Sequence, residues 1–179
     1  MKIEIRFTGS GGQGLVLASR VLAKAALIES RNVLQSQVYG AEARGGATKS
    51  EVIISNKEIF FPEVLIPDIL VIMTNEAYKK YSKSLKENGI MVLDSFTVSS
   101  YNLDKEFKNY VIPFTEIAER QFHSKILANM LMLGFVSKIA GLVKIESVIE
   151  ALSTIFSGRT LEINIEAARL GNSLENIPT

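Results

Sequence analysis

The chain contains no cysteine. Disulfides and cysteine-ligated iron–sulfur clusters are therefore excluded for this polypeptide. It also lacks a strong excess of either charge, with 20 Lys and Arg against 19 Asp and Glu. A general nucleic-acid binder carries a marked basic excess, so no nucleic-acid partner is expected. Long apolar runs are missing too. The longest, Ile126 to Ser137, covers 12 residues and stops at Lys138, whereas a membrane span needs about 20. The N-terminus enters charged, alternating sequence at once (Met1 to Arg6) and shows no basic end followed by an apolar stretch. Histidine is almost absent. His123 stands alone in "RQFHSK", a boundary between helices, with no acidic or cysteine neighbours. It is read as a surface or capping residue and not as a catalytic one. These absences lead to the expectation of a soluble cytoplasmic protein with no membrane contact.

Hydrophobic residues make up 47% of the 179 positions, enough for the core of one domain of ordinary size. No repeat, linker or low-complexity tract divides the chain, so residues 1–179 are read as a single domain. Ile3, Ile5 and Phe7 alternate with Glu4 and Arg6 and predict a strand. Leu15 to Glu29 has helical apolar spacing. Asn32 to Tyr39 and Thr48 to Ser55 read as strands. "SNKE" reads as a turn and "IFF" as a short return strand, which together make an antiparallel hairpin. Pro62 and Pro67 bracket a loop. Asp68 to Thr74 and Ile90 to Asp94 are near-continuous apolar runs, as in strands covered on both faces. Between them Asn75 is placed as the N-cap of a helix to Leu85, with Gly89 as its C-cap residue. Asn109 to Phe114 is a last strand, and Thr115 caps a helix to Arg120. From Ser124 the pattern is helical. "SKILANMLMLGFVSKIAGL" is apolar almost all round and is expected to be deeply buried. "ESVIEALSTIF" and "TLEINIEAARLG" follow, the latter ended by Gly171. The fold class is α/β: a three-layer α/β/α domain with a mixed, mostly parallel central sheet.

One turn invites chemistry. "FTGSGGQGLVLAS" joins the first strand to the first helix, and Gly9, Gly11 and Gly14 fit the pattern G-x-G-x-x-G. Such a turn brings backbone N–H groups and a positive helix end to an anion at the carboxyl edge of the sheet. A dinucleotide site also needs an acid roughly 20 residues on, at the end of the second strand. "NVLQSQVY" offers Gln35, Ser36 and Gln37 there, and no carboxylate. Gly12 and Gln13 depart from the generic fingerprint as well. A stand-alone dinucleotide-binding oxidoreductase is the alternative that this gap counts against. The plain structural reading is that the glycines permit close helix–strand packing.

A second stretch, "YGAEARGG" (Tyr39 to Gly46), stands at a set distance from the first. With this pair the chain resembles the gamma subunits of 2-oxoacid:ferredoxin oxidoreductases, which act on pyruvate, 2-oxoglutarate, 2-oxoisovalerate or indolepyruvate. The family pattern is Ser, Tyr-Gly, a variable residue, Glu, a variable residue and Arg-Gly-Gly. It maps onto Tyr39, Gly40, Glu42, Arg44, Gly45 and Gly46, with Val38 in place of the usual serine. "DILVIMTNEAYKKY", "IPFTEIAER" and "ANMLMLG" resemble later blocks of the family.

The resemblance implies a subunit of a multi-chain enzyme. That enzyme decarboxylates a 2-oxoacid oxidatively, forms an acyl-CoA and passes electrons to ferredoxin. It further implies partners: alpha and beta chains that bind thiamine diphosphate and Mg, and a ferredoxin-like chain with iron–sulfur clusters. This chain has neither the cysteines of a cluster nor the Gly-Asp-Gly and paired asparagines of a thiamine site, so alone it is expected to be inactive. No catalytic or metal-binding residue is assigned to it. The candidate site is Gly9, Gly11, Gly12, Gln13 and Gly14 in the first loop, with Tyr39, Glu42, Arg44, Gly45 and Gly46 in the second. Both loops are expected near one another, on the reading that the two strands before them are neighbours. One role for them is to hold coenzyme A through backbone donors and the Arg44 guanidinium. The other is to form a subunit interface, where Tyr and Arg are favoured; a purely structural scaffold is the limiting form of that alternative. Asp94 and Ser95 end a strand at the ligand edge and are read as caps for the next turn; Asn75 shares that ambiguity. Asn129, inside the apolar helix, must find a hydrogen bond if buried.

Overall fold

In strand β1 (Lys2–Gly9) the apolar residues Ile5 and Phe7 are fully buried, and the polar Arg6 and Thr8 are buried on the opposite face. The computed structural model describes residues 1–38 and 47–175. After β1 come α1 (Leu15–Ile28), β2 (Asn32–Val38), β3 (Thr48–Ser55), β4 (Ile69–Ile72), α2 (Asn75–Tyr81), β5 (Ile90–Asp94), β6 (Lys108–Ile112), α3 (Phe114–Phe122), α4 (Ala128–Ile139), α5 (Ile145–Ser153) and α6 (Gly158–Ser173). Single 3₁₀ turns, Ser82–Ser84 and Lys125–Leu127, follow α2 and precede α4.

The sheet order is β2-β3-β1-β4-β5-β6. From β1 through β6 the neighbours are parallel, while β3 runs antiparallel to both β1 and β2. The expected mixed α/β/α architecture is thus observed, with one change in its wiring. β1 and β2 are not neighbours, because β3 returns between them. The expected "IFF" return strand is absent, and residues 56–68 carry no regular structure. β3 takes its antiparallel partners from β1 and β2 instead, pairing with β1 along its whole length and with β2 from Lys49 to Ser55.

The larger core lies on the α1 face, where Ile5, Phe7, Val52, Ile54 and Val71 meet α1 and α4. The all-round apolar helix is buried as expected. α4 lies between the sheet and α6, and Phe135 meets Tyr110 of β6 and Phe114 of α3 edge-on, at ring centroid distances of 5.5 and 5.6 Å. The opposite face is thinner. There Leu70, Ile72, Met91 and Leu93 pack under α2 with Ala77, Leu85 and Val98.

Several local expectations need correction. The N-cap of α2 is Thr74, whose hydroxyl accepts from the Ala77 N–H, and α2 ends at Tyr81. Gly89 closes a turn with Lys86, and it is Asn88 that takes the left-handed conformation. Thr115 lies inside α3, where it bonds Asp94 instead of capping its own helix. Gly171 does not end α6, which continues to Ser173. A Cβ at Gly171 would overlap the Leu131 carbonyl, and one at Gly134 the Ala168 carbonyl. These glycines let α4 and α6 touch backbone to backbone.

Candidate functional site

The glycine turn sits where the sequence places it, at the carboxyl end of β1. Gln13 is its internal clamp. Its Oε1 accepts from the Ser10 N–H at 2.8 Å, and its Nε2 donates to the Met73 carbonyl at 2.9 Å, tying the turn to the end of β4. Gly9 is required by this clamp, since a Cβ there would overlap Gln13 Oε1 and stand 3.1 Å from Met73 Cβ. Gln13 thus shapes the turn from within. Gly14 is the N-cap of α1 with φ 73°, a conformation that favours glycine. Asn129 leans on it from α4. Its Nδ2 donates to the Gly14 carbonyl at 3.3 Å, while its Oδ1 has no partner among the described residues.

A glycine N-cap has no side chain to satisfy the first N–H groups of α1, and no acidic residue stands in the first turn. Among the described residues, the positive end of the helix therefore carries no side-chain cap. It opens into a cleft of about 460 Å³ between α1 and the ends of β2 and β3. Ser10, Gly11 and Leu15 to Leu17 form one wall, and Gln37, Thr48 and Lys49 the other, with Arg20 at the side. Lys49 turns its side chain to the opposite face of the sheet, where its Nζ lies 3.1 Å from Glu51 Oε1. Arg20 is a cation lining the cleft that the sequence reading missed.

A second cleft of about 260 Å³ lies on the other side of the turn, lined by Gly12, Gln13, Met73, Thr97, Thr115, Lys125 and Ile126. This is the switch point of the sheet, where successive helices depart to opposite faces. Asp94, at the end of β5 nearby, is fully buried. Its carboxylate accepts from the Thr115 hydroxyl, the Thr115 N–H at 3.2 Å and the Phe96 N–H at 3.1 Å. Burial pushes its pKa up, against the opposing pull of those bonds. The bond from Phe96 caps the next turn, as read from the sequence, and the bonds from Thr115 also cap α3 from outside. Asn75 accepts from the N–H groups of Ser99 and Ser100, fixing that loop. His123 is exposed and ends α3 in the left-handed conformation, as a capping residue.

Tyr39, Gly40, Glu42, Arg44, Gly45 and Gly46 lie outside the described residues. The residues flanking them are informative. Thr48 pairs with Gly9 and its hydroxyl donates to the Gly9 carbonyl at 3.2 Å, while Val38 pairs with Lys49. Of these flanking residues, Thr48 stands beside the glycine turn, because β3 runs next to β1. The expected nearness of the two loops lies outside the described residues. The insertion of β3 disfavours a dinucleotide site. It moves β2 two strand spacings from β1, about 10 Å, where a ribose-binding acid would sit at one.

Residues 4–174 match the pyruvate ferredoxin/flavodoxin oxidoreductase family. The 2-oxoglutarate synthase subunit KorC of Methanocaldococcus jannaschii is 42% identical over 96% of this chain and 92% of its own length. The crystal structure of a keto/oxoacid ferredoxin oxidoreductase gamma subunit from Geobacter sulfurreducens superposes with a TM-score of 0.86 at 35% identity, covering 96% of this chain and 94% of that one. Two similar proteins are longer. The ketoisovalerate oxidoreductase subunit VorA of Methanothermobacter marburgensis is 30% identical over 95% of this chain but only 36% of its own. A 2-oxoglutarate:ferredoxin oxidoreductase from Magnetococcus marinus, solved with 2-oxoglutarate, coenzyme A and succinyl-CoA, has the same fold over 32% of its chain (TM-score 0.86, 22% identity, 99% of this chain).

The match over residues 4–174, on a mixed sheet with an inserted antiparallel strand and a glycine turn, defines the class: this chain belongs to the pyruvate ferredoxin/flavodoxin oxidoreductase family. Within that family its place is with the gamma subunits of 2-oxoacid:ferredoxin oxidoreductases, in agreement with the sequence reading. Among the described residues no helix is long and apolar enough to cross a membrane.

Proposed function

We propose that this chain serves a thiamine-dependent, cytoplasmic 2-oxoacid:ferredoxin oxidoreductase as the subunit that helps to hold coenzyme A. Thiamine diphosphate, Mg and the iron–sulfur clusters reside in partner chains, which deliver electrons to ferredoxin. When bound there, thiamine supplies the carbanion chemistry; this chain binds and orients. The observation that carries the reading is the cleft at the uncapped start of α1, with Arg20 beside it. It offers backbone donors, a helix end and a cation, the features that suit a pyrophosphate or a 3′-phosphate. Arg44, outside the described residues, is the guanidinium that this reading adds for a phosphate. The bound coenzyme A of the Magnetococcus marinus enzyme supports the choice of ligand. Similarity to the KorC subunit makes 2-oxoglutarate the first 2-oxoacid to assay.

The test is the KM for coenzyme A of the assembled complex carrying Arg20→Ala or Arg44→Ala. A charge-assisted contact contributes about 1.5–3 kcal/mol, so KM for coenzyme A should rise roughly tenfold to a hundredfold, with KM for the 2-oxoacid unchanged. An unchanged coenzyme A KM in both variants would remove the cleft from the account.

A further inference from the structure

Four of the nine large apolar side chains that stand exposed among the described residues fall within seven consecutive positions: Phe60 (88%), Phe61 (51%), Leu65 (65%) and Ile66 (59%). They belong to the strap of residues 56–68 that leads from β3 to β4. The strap is anchored. The Asn56 N–H donates to the Met1 carbonyl at 3.0 Å and the Asp68 N–H to the Glu4 carbonyl at 2.8 Å. Between these ends Val64 is buried, and its carbonyl accepts from the Arg6 guanidinium. Pro62 and Pro67 stiffen the path further. The four side chains are thus held outward by a fixed backbone, and apolar surface concentrated in this way marks an interaction site.

The position of the strap says what covers it. In the VorA relative this domain is about a third of a longer polypeptide, so a larger protein mass is covalently tied to it. Both ends of the family region lie at the edge of the sheet opposite the glycine turn. Glu4 bonds the exit of the strap, and Leu174 is bonded by Lys138 near the end of α4. Ala140, just beyond α4, lines one cavity together with Lys2, Ile3 and Asp68. Any continuation of the domain therefore leaves from beside the roots of the strap.

We infer that the strap is the docking face for the separate chain that corresponds to the remainder of the longer relatives, gripped through Phe60, Phe61, Leu65 and Ile66. The inference rests on the gamma-subunit reading and names the surface by which the subunit joins its complex.

The experiment co-expresses the tagged chain with the other subunits of its complex and identifies the co-purifying chains by mass spectrometry. Phe60→Ser/Phe61→Ser and Leu65→Ser/Ile66→Ser are compared with Leu27→Ser, an exposed apolar residue on α1. The strap variants should keep the wild-type melting temperature and lose the partner chain by about tenfold or more, as for interface anchors. Leu27→Ser should retain it fully. Amides 57–66 should exchange about tenfold more slowly in the complex than in the free chain. Stoichiometric retention by both strap variants, equal loss in Leu27→Ser, or unprotected strap amides would overturn the inference alone. A wild-type dimer that the strap variants convert to monomer, with the partner chain still bound, would assign the face to a second copy and overturn it too. A wild-type chain that retains no such partner would overturn the gamma-subunit reading and this inference together.

Discussion

Asp94 and the pair Arg6–Glu51 show two ways of burying charge. Asp94 is desolvated and its pKa lies above the ordinary 3.8. The native state therefore holds the proton more tightly than the unfolded chain does. Its contribution to stability is full below the ordinary value and is lost as pH rises through the raised one. Asp94→Asn removes this dependence. Denaturant unfolding over a pH series should show wild-type stability falling relative to Asp94→Asn from about pH 4 upward, then running parallel once Asp94 is fully ionised. A difference independent of pH would mean that the carboxyl is not desolvated. Arg6 Nε lies 2.6 Å from Glu51 Oε1 with both side chains buried, and Arg6 also donates to Ser84 Oγ at 3.0 Å. Removing Glu51 leaves the buried Arg6 without its acid, whereas removing Arg6 leaves Glu51 paired with Lys49. Glu51→Ala should therefore cost about 3–5 kcal/mol, with Arg6→Ala and the apolar pair Arg6→Met/Glu51→Leu each costing less. Equal losses in all three would show that packing, and not the unpaired charge, sets the cost.

At the scale of elements, the contact of α4 with α6 gives a test of sign. By helix propensity alone Gly134→Ala and Gly171→Ala should stabilise by up to about 1 kcal/mol. The backbones leave no room for a methyl group at either position. Overpacking of this kind costs about 1–3 kcal/mol, so both variants should melt below wild type. A rise in melting temperature would show that the helices part without cost. Helix α5 depends on another element in a similar way. The Glu29 carboxylate, at the end of α1, accepts from the Lys144 N–H at 2.6 Å and the Ser147 hydroxyl at 2.8 Å. The chain spacing of 115 residues hides that cap from local reading.

For the molecule as a whole, what was legible in the sequence was local. Continuous apolar runs identified β4 and β5, all-round apolarity identified α4 as buried, and the glycine turn was found by its spacing. What was not legible depends on distant pairing. Thr48–Ser55 reads as a strand, but nothing within it says that it inserts between β1 and β2. Arg6 alternates with apolar residues as though facing water, and the strap together with the end of α2 and the turn at Ser84 buries it. Gly171 has the look of a helix stop because a terminating glycine and a close-contact glycine are the same letter. Arg20 is an ordinary surface cation until the fold places it at the side of the cleft. The candidate site was thus half visible: its turn could be read, and the cation beside it could not.

The central claim is that this chain works only as a subunit, and it is tested most directly by 2-oxoacid-dependent ferredoxin reduction with coenzyme A present. Three preparations are compared: the chain alone, its partner chains without it, and the assembled complex. The account predicts turnover from the complex, none from the isolated chain, and a large loss when the chain is withheld. Oxidation of a 2-oxoacid by the isolated chain, or undiminished turnover without it, would contradict the account.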